Sequence, residues 1–151
     1  MSVPADRSWT ATGLYLEPGT YSFAATGRWS SAGSSCGPAG DASGRHPLGS
    51  TSSRVVDRLQ AALRRLLHNP EAGLLGARRE TTRPWMSLVA LVADEQTDAS
   101  GATTHPDEKI FAGDSTEQTV LRQGYLYAYA NDAFGFYGNN RGTVELTVTR
   151  Q

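Results

Sequence analysis

At 151 residues with 38% hydrophobic side chains, the chain has room for one domain and enough apolar mass to bury a core, which excludes wholesale disorder. Fourteen basic against fifteen acidic residues leave a formal charge of −1, and no basic stripe is there to grip nucleic acid. Cys36 is the only cysteine, so an intrachain disulfide framework and clustered-thiolate metal sites are excluded.

Met1 to Ser8 are polar, lack the apolar centre of a secretory signal and read as a flexible lead-in, leaving residues 9–151 as a single domain. Tyr15-Leu16, the turn Glu17-Pro18-Gly19 and Tyr21 to Trp29 predict a strand, a turn and a longer strand. In the longer strand Tyr21, Phe23, Ala25, Gly27 and Trp29 share one face. From Ser30 to Thr51 the composition turns to Gly, Ser, Pro and Ala, which predicts a long loop.

At Ser53 the period changes. Val55, Val56, Leu59, Leu63, Leu66 and Leu67 recur at helical spacing, so an amphipathic helix is expected over about 53–68, ended by Asn69-Pro70. It reads either as a helix packed on the rim of the domain or as a membrane-surface or partner helix. Trp85 to Ala93 predicts a buried strand, and it falls well short of the roughly 18 apolar residues that a membrane helix needs. A soluble protein without membrane insertion is expected, cytoplasmic or released by a non-standard route. Short strand pieces follow at Ile110 to Gly113, Thr119 to Leu121 and Tyr125 to Ala130. Thr143 to Thr149 then alternates Val144, Leu146 and Val148 against polar residues. Many short strands with Gly and Pro punctuation and one inserted helix predict an all-β fold, a sandwich or jelly roll.

Two motifs tempt and fail. Gly33-Ser34-Ser35-Cys36-Gly37 fits the hydrolase pattern G-x-S-x-G, but Pro38 follows where a helix must begin. Asp94, Gln96 and Asp98 have the alternate spacing of a calcium-binding EF loop, but His105 stands where its closing glutamate belongs. A solvated hairpin tip is expected there instead.

The segment that carries chemistry is Asn131-Asp132-Ala133-Phe134-Gly135-Phe136-Tyr137-Gly138-Asn139-Asn140-Arg141-Gly142, held between two strands. It gathers one carboxylate and several amides, hard oxygen donors of the kind calcium takes, with glycines that let carbonyls turn inward. The same composition also makes an ordinary Gly/Asn-rich hairpin loop.

This loop resembles the calcium loop of the PA-IL-like (LecA-type) galactophilic bacterial lectins, whose pattern runs Asn-Asp, a short spacer, then Tyr-Gly-Asn-Asn. Gly27-Arg28-Trp29-Ser30-Ser31, Gly37-Pro38-Ala39-Gly40-Asp41 and His46-Pro47 resemble further motifs of that family, in the same order. The resemblance implies a jelly-roll-like β-sandwich that binds galactose-containing glycans through calcium, without catalysis, commonly as a homo-oligomer. It implies calcium ligands at the side chains of Asp132, Asn139 and Asn140 and at the carbonyls of Phe136 and Ala32. It also implies sugar contacts from His46, Asp132, Ala133, Phe136 and Asn139. The chain departs from the family at Leu48-Gly49, where a polar sugar contact is expected, and by its insertion over about Gly49 to Thr82. Those departures keep a second class open, an interaction domain that binds no free sugar.

Overall fold

The computed structural model describes residues 1–41, 79–80, 82–94, 96–97, 103–104 and 107–151. The helix expected over 53–68 lies outside the described residues.

The described residues form two main antiparallel sheets and one short two-stranded ladder. The longest strand, β3 (Gly19–Ser31), buries Tyr21, Phe23, Ala25, Trp29 and Ser31 on alternate positions, the face the sequence period marks. It pairs over ten residues with β11 (Arg141–Arg150), from Arg141 opposite Ser30 to Arg150 opposite Tyr21. Along its other edge β9 (Ser115–Val120) takes the first half of β3 and β4 (Ser34–Cys36) the last three residues. The outer strand is β1 (Ser2–Pro4), paired with β11. The second sheet runs β2 (Thr10–Leu16), β10 (Gly124–Ala130), β5 (Leu88–Ala93) and β8 (Asp107–Ile110). Within the expected polar connector, β6 (Gln96–Thr97) and β7 (Thr103–Thr104) pair as a two-residue antiparallel ladder.

Between the sheets lie Val3, Phe23, Trp29, Leu88, Ile110, Leu126, Val144 and Leu146, all at most 1% exposed. Burial of several large apolar side chains, at about 1.5–3 kcal/mol each, drives the two sheets together.

Three expectations need correction. The lead-in is structured: Ser2, Val3 and Pro4 pair with Glu145, Val144 and Thr143, and Val3 and Ala5 are fully buried. The apolar run becomes a strand at Leu88 and not at Trp85, because Pro84 to Ser87 turn a corner first. Ser87 donates its N–H back to Pro84 there, Met86 sits at φ +58, and the Met86 carbonyl accepts the indole N–H of Trp29 at 2.9 Å. Finally, Ser34–Cys36 is a strand, where the Gly/Ser composition suggests loop.

Candidate functional site

The register of β3 on β11 builds one end of the sandwich. Because Ser30 lies opposite Arg141, the chain entering β11 passes beside the end of β3. That entering segment is a six-residue 3-10 helix, Phe134–Asn139, followed by Asn140. It is connected to the end of β10 by Asn131, Asp132 and Ala133. Strand β3 ends at Ser31, from which Ala32 and Gly33 turn back to β4 with Ser31 opposite Ser34. Both turn residues have positive φ, +47° and +85°. A two-residue hairpin favours that conformation, and it strains a side-chain-bearing residue such as Ala32.

Four side chains converge here. Asp132 and Asn140 are fully buried, Ser31 is 1% exposed and Asn139 is exposed. The Asn140 amide donates to Asp132 Oδ2 at 2.8 Å and to the Ala5 carbonyl at 3.1 Å. Two acceptors on one side fix which end of the amide is nitrogen, so Oδ1 faces the other way. That oxygen is buried and has no hydrogen-bond partner among the described residues. Asp132 Oδ1 accepts the N–H of Ala133 at 2.7 Å. The Ser31 hydroxyl lies 3.4 Å from Asp132 Oδ2 and 3.2 Å from Asn139 Oδ1. It has one proton for two acceptors, and both distances are long for an O–H···O bond of about 2.7–2.8 Å.

The cluster is therefore rich in oxygen acceptors, and one of them, Asn140 Oδ1, has no donor among the described residues. A buried amide oxygen without a donor costs about 1–3 kcal/mol, so such a site is stabilised by anything that brings positive charge to it. The donor set is one carboxylate and amide oxygens, which fits a hard cation such as calcium and does not fit a soft metal. No cluster of three or more His, Cys, Asp or Glu occurs among the described residues, so a carboxylate-rich or histidine-rich site is absent from them.

A second layer holds this loop in place. The Asn131 side chain accepts the Glu80 N–H at 2.9 Å and donates to the carbonyls of Glu80 at 2.9 Å and Pro84 at 3.0 Å. The Tyr137 hydroxyl donates to the Ala130 carbonyl at 2.7 Å and accepts from Arg79 at 3.2 Å. The Arg79 guanidinium lies 3.4 Å from the ring centre of Tyr129 and 3.9 Å from that of Trp9, and it also donates to the Ser8 carbonyl. Burial pushes the Tyr137 hydroxyl pKa up, against the lowering pull of Arg79. The Gly37-Pro38-Ala39-Gly40-Asp41 motif forms a tight turn, Gly40 N–H to Gly37 carbonyl at 3.0 Å. The turn docks through Asp41 N–H on Trp85 and Leu88 N–H on Pro38, both 2.8 Å.

The sequence-derived candidates thus meet in part. Asp132, Asn139 and Asn140 converge, with Ala133 and Phe136 in the same loop and the Phe136 ring packed against the core. Ala32 directly follows Ser31. His46 lies outside the described residues. Sequence reasoning missed Ser31 and the Ala5 carbonyl. Ser31 carried a signal, since it continues the buried phase of Trp29 into a polar residue. Ser35 sits in β4, its hydroxyl accepting from Arg28 Nε at 3.2 Å, in a hairpin and not in the strand–turn–helix a nucleophile elbow requires.

No family model and no curated protein matches this chain. Among solved structures, the "EclA N-terminal domain; PllA-like lectin" is similar to it. The TM-score is 0.54 at 17% identity, over 100% of this chain and 94% of that one. At that identity the likeness establishes the fold alone, an antiparallel β-sandwich.

Proposed function

We propose that the chain is a non-catalytic, calcium-dependent carbohydrate-binding module, with galactose or a galactoside as the sugar. The observation that carries the reading is the buried Asn140 Oδ1, an amide oxygen without a donor among the described residues, in the same loop as the carboxylate of Asp132 and the amide of Asn139. Side-chain oxygens of Asp132, Asn139 and Asn140 would hold the ion, with the carbonyls of Phe136 and Ala32. Bound calcium would supply a Lewis-acidic anchor for two sugar hydroxyls. The protein's own part is to hold the oxygens apart from solvent competition and to hydrogen-bond the sugar from Asp132, Asn139, Ala133 and Phe136. His46 is assigned a peripheral hydroxyl from the resemblance of Gly37 to Asp41 and His46-Pro47. The lectin-like neighbour supports carbohydrate binding as the general class. No described helix is long and apolar enough to cross a membrane.

One formal carboxylate favours weak calcium affinity, about 10⁻⁴–10⁻³ M as in extracellular modules. Single weak sugar sites favour several copies, which is why a homo-oligomer belongs to the proposal. The test is retention on galactose resin in millimolar calcium, with release by chelator. Asp132→Ala should pass through unretained, whereas His46→Ala should be retained less, by roughly three- to tenfold in affinity for one lost hydrogen bond. A wild type that binds calcium and ignores every sugar on a glycan array would shift the reading to an interaction domain. The loss of a polar side chain at Leu48-Gly49 already leans that way.

A further inference from the structure

We infer that Ser31 is the positioning residue of this site, a hydroxyl that sets Asn139 against Asp132 before any cation arrives; the inference rests on the calcium reading above. Asp132 reaches the site from the end of β10, and Asn139 from the last turn of the 3-10 helix. No hydrogen bond joins their side chains to each other among those described. What they share is one oxygen, Ser31 Oγ, 3.4 Å from Asp132 Oδ2 and 3.2 Å from Asn139 Oδ1. Ser31 is at the end of β3, the longest strand, and its backbone is fixed by pairing with Ser34, so it is the rigid member of the three.

Asn139 is exposed, and a free asparagine amide can offer oxygen or nitrogen to a ligand with equal ease. Nitrogen offered to a cation is repulsive. The Ser31 proton, accepted by Asn139 Oδ1, lowers that freedom and draws the oxygen to the side where Asp132 stands. Each amide oxygen has a second lone pair, so the Ser31 bond and a cation can be accommodated together. Pre-setting two of three side-chain oxygens reduces the ordering that binding would otherwise require. The burial of Ser31 fits this role. A serine that is 1% exposed on an apolar face has no reason to be polar for packing, where alanine would serve.

Calcium titration by calorimetry, with wild type, Ser31→Ala, Ser31→Thr and Ser31→Val, tests the inference. Alanine removes the oxygen and nothing larger. Threonine and valine share a shape and differ in the hydroxyl. Alanine and valine should bind calcium roughly three- to tenfold more weakly, the worth of one hydrogen bond, and threonine should stay within about twofold of wild type. Valine should melt lower than threonine in chelator, because the two share a volume and only threonine keeps the bond that is formed before calcium arrives. Alanine binding as wild type does overturns the inference while leaving the calcium reading intact. Threonine weakened as much as valine also overturns it, since volume and not the hydroxyl would then be responsible. A wild type that takes up no calcium overturns both.

Discussion

Asn140→Asp is the substitution on which the account makes its least intuitive forecast, because it should weaken the protein in chelator and strengthen its response to calcium. The amide gives two hydrogen bonds, at 2.8 Å to Asp132 Oδ2 and at 3.1 Å to the Ala5 carbonyl. The first is to a carboxylate, worth about 1.5–3 kcal/mol, and the second to a neutral carbonyl, worth about 0.5–1.5 kcal/mol. Their sum, about 2–4.5 kcal/mol, lowers the melting temperature of a domain this size by roughly 5–15 °C. The new carboxylate also stands against Asp132, and two like charges at that distance cannot both stay ionised, so one carboxyl pKa rises. Calcium removes the conflict by neutralising both groups. The calcium-induced rise in melting temperature should therefore be larger for Asn140→Asp than for wild type at neutral pH. It should shrink toward pH 5, where the shared proton competes with the ion. Asn140→Leu loses the same donors and gains no charge, so it should melt low in both conditions. The assay is thermal unfolding in chelator and in about 10 mM calcium, where a site of 10⁻⁴–10⁻³ M affinity is stabilised by about 1.4–2.7 kcal/mol. An Asn140→Asp protein that melts like wild type in chelator, or gains no more from calcium than wild type does, would refute the reasoning.

Two further outcomes follow from the surroundings of the loop. Burial raises the pKa of Tyr137 and of Tyr129 above the ordinary 10.0. Their contribution to stability is full below that value and is lost as pH rises toward the folded-state values, since the unfolded chain releases its protons first. Urea unfolding from about pH 9 to 11 should show this fall, and Tyr137→Phe should show a shallower one. Gly40→Ala should destabilise the turn that docks on Trp85 and Ser87. A Cβ there would stand 2.6 Å from the Trp85 carbonyl oxygen and the Ser87 nitrogen, at φ +81°. Thermal melting should fall by several degrees, with calcium still raising the melting temperature.

What could be read in the sequence was the part set by local pattern. The alternation of β3 and β11 marked their buried faces because a pleated strand repeats every two residues. The Asn-Asp and Gly-Asn-Asn segments revealed Asp132, Asn139 and Asn140 because oxygen donors were already close in the chain. What could not be read depends on pairing between distant residues. Ser2 to Pro4 are too short and polar to predict a strand, and they become one only because β11 offers its edge. Ser31 and Ala5 join the site through the registers of β3 and β1 on β11, more than a hundred residues away in each case, and no local signal encodes those registers. Ser34 to Cys36 looked like loop because a two-residue turn with positive φ at Ala32 and Gly33 is needed to fold them back on β3.

The most direct measurement is a crystal of the protein soaked with calcium and galactose, examined for anomalous scattering. The account predicts a calcium peak about 2.3–2.6 Å from side-chain oxygens of Asp132, Asn139 and Asn140, with Asn140 Oδ1 among its ligands and sugar hydroxyls completing the shell. A well-ordered loop with no peak, or a peak that leaves Asn140 Oδ1 uncoordinated, would contradict it.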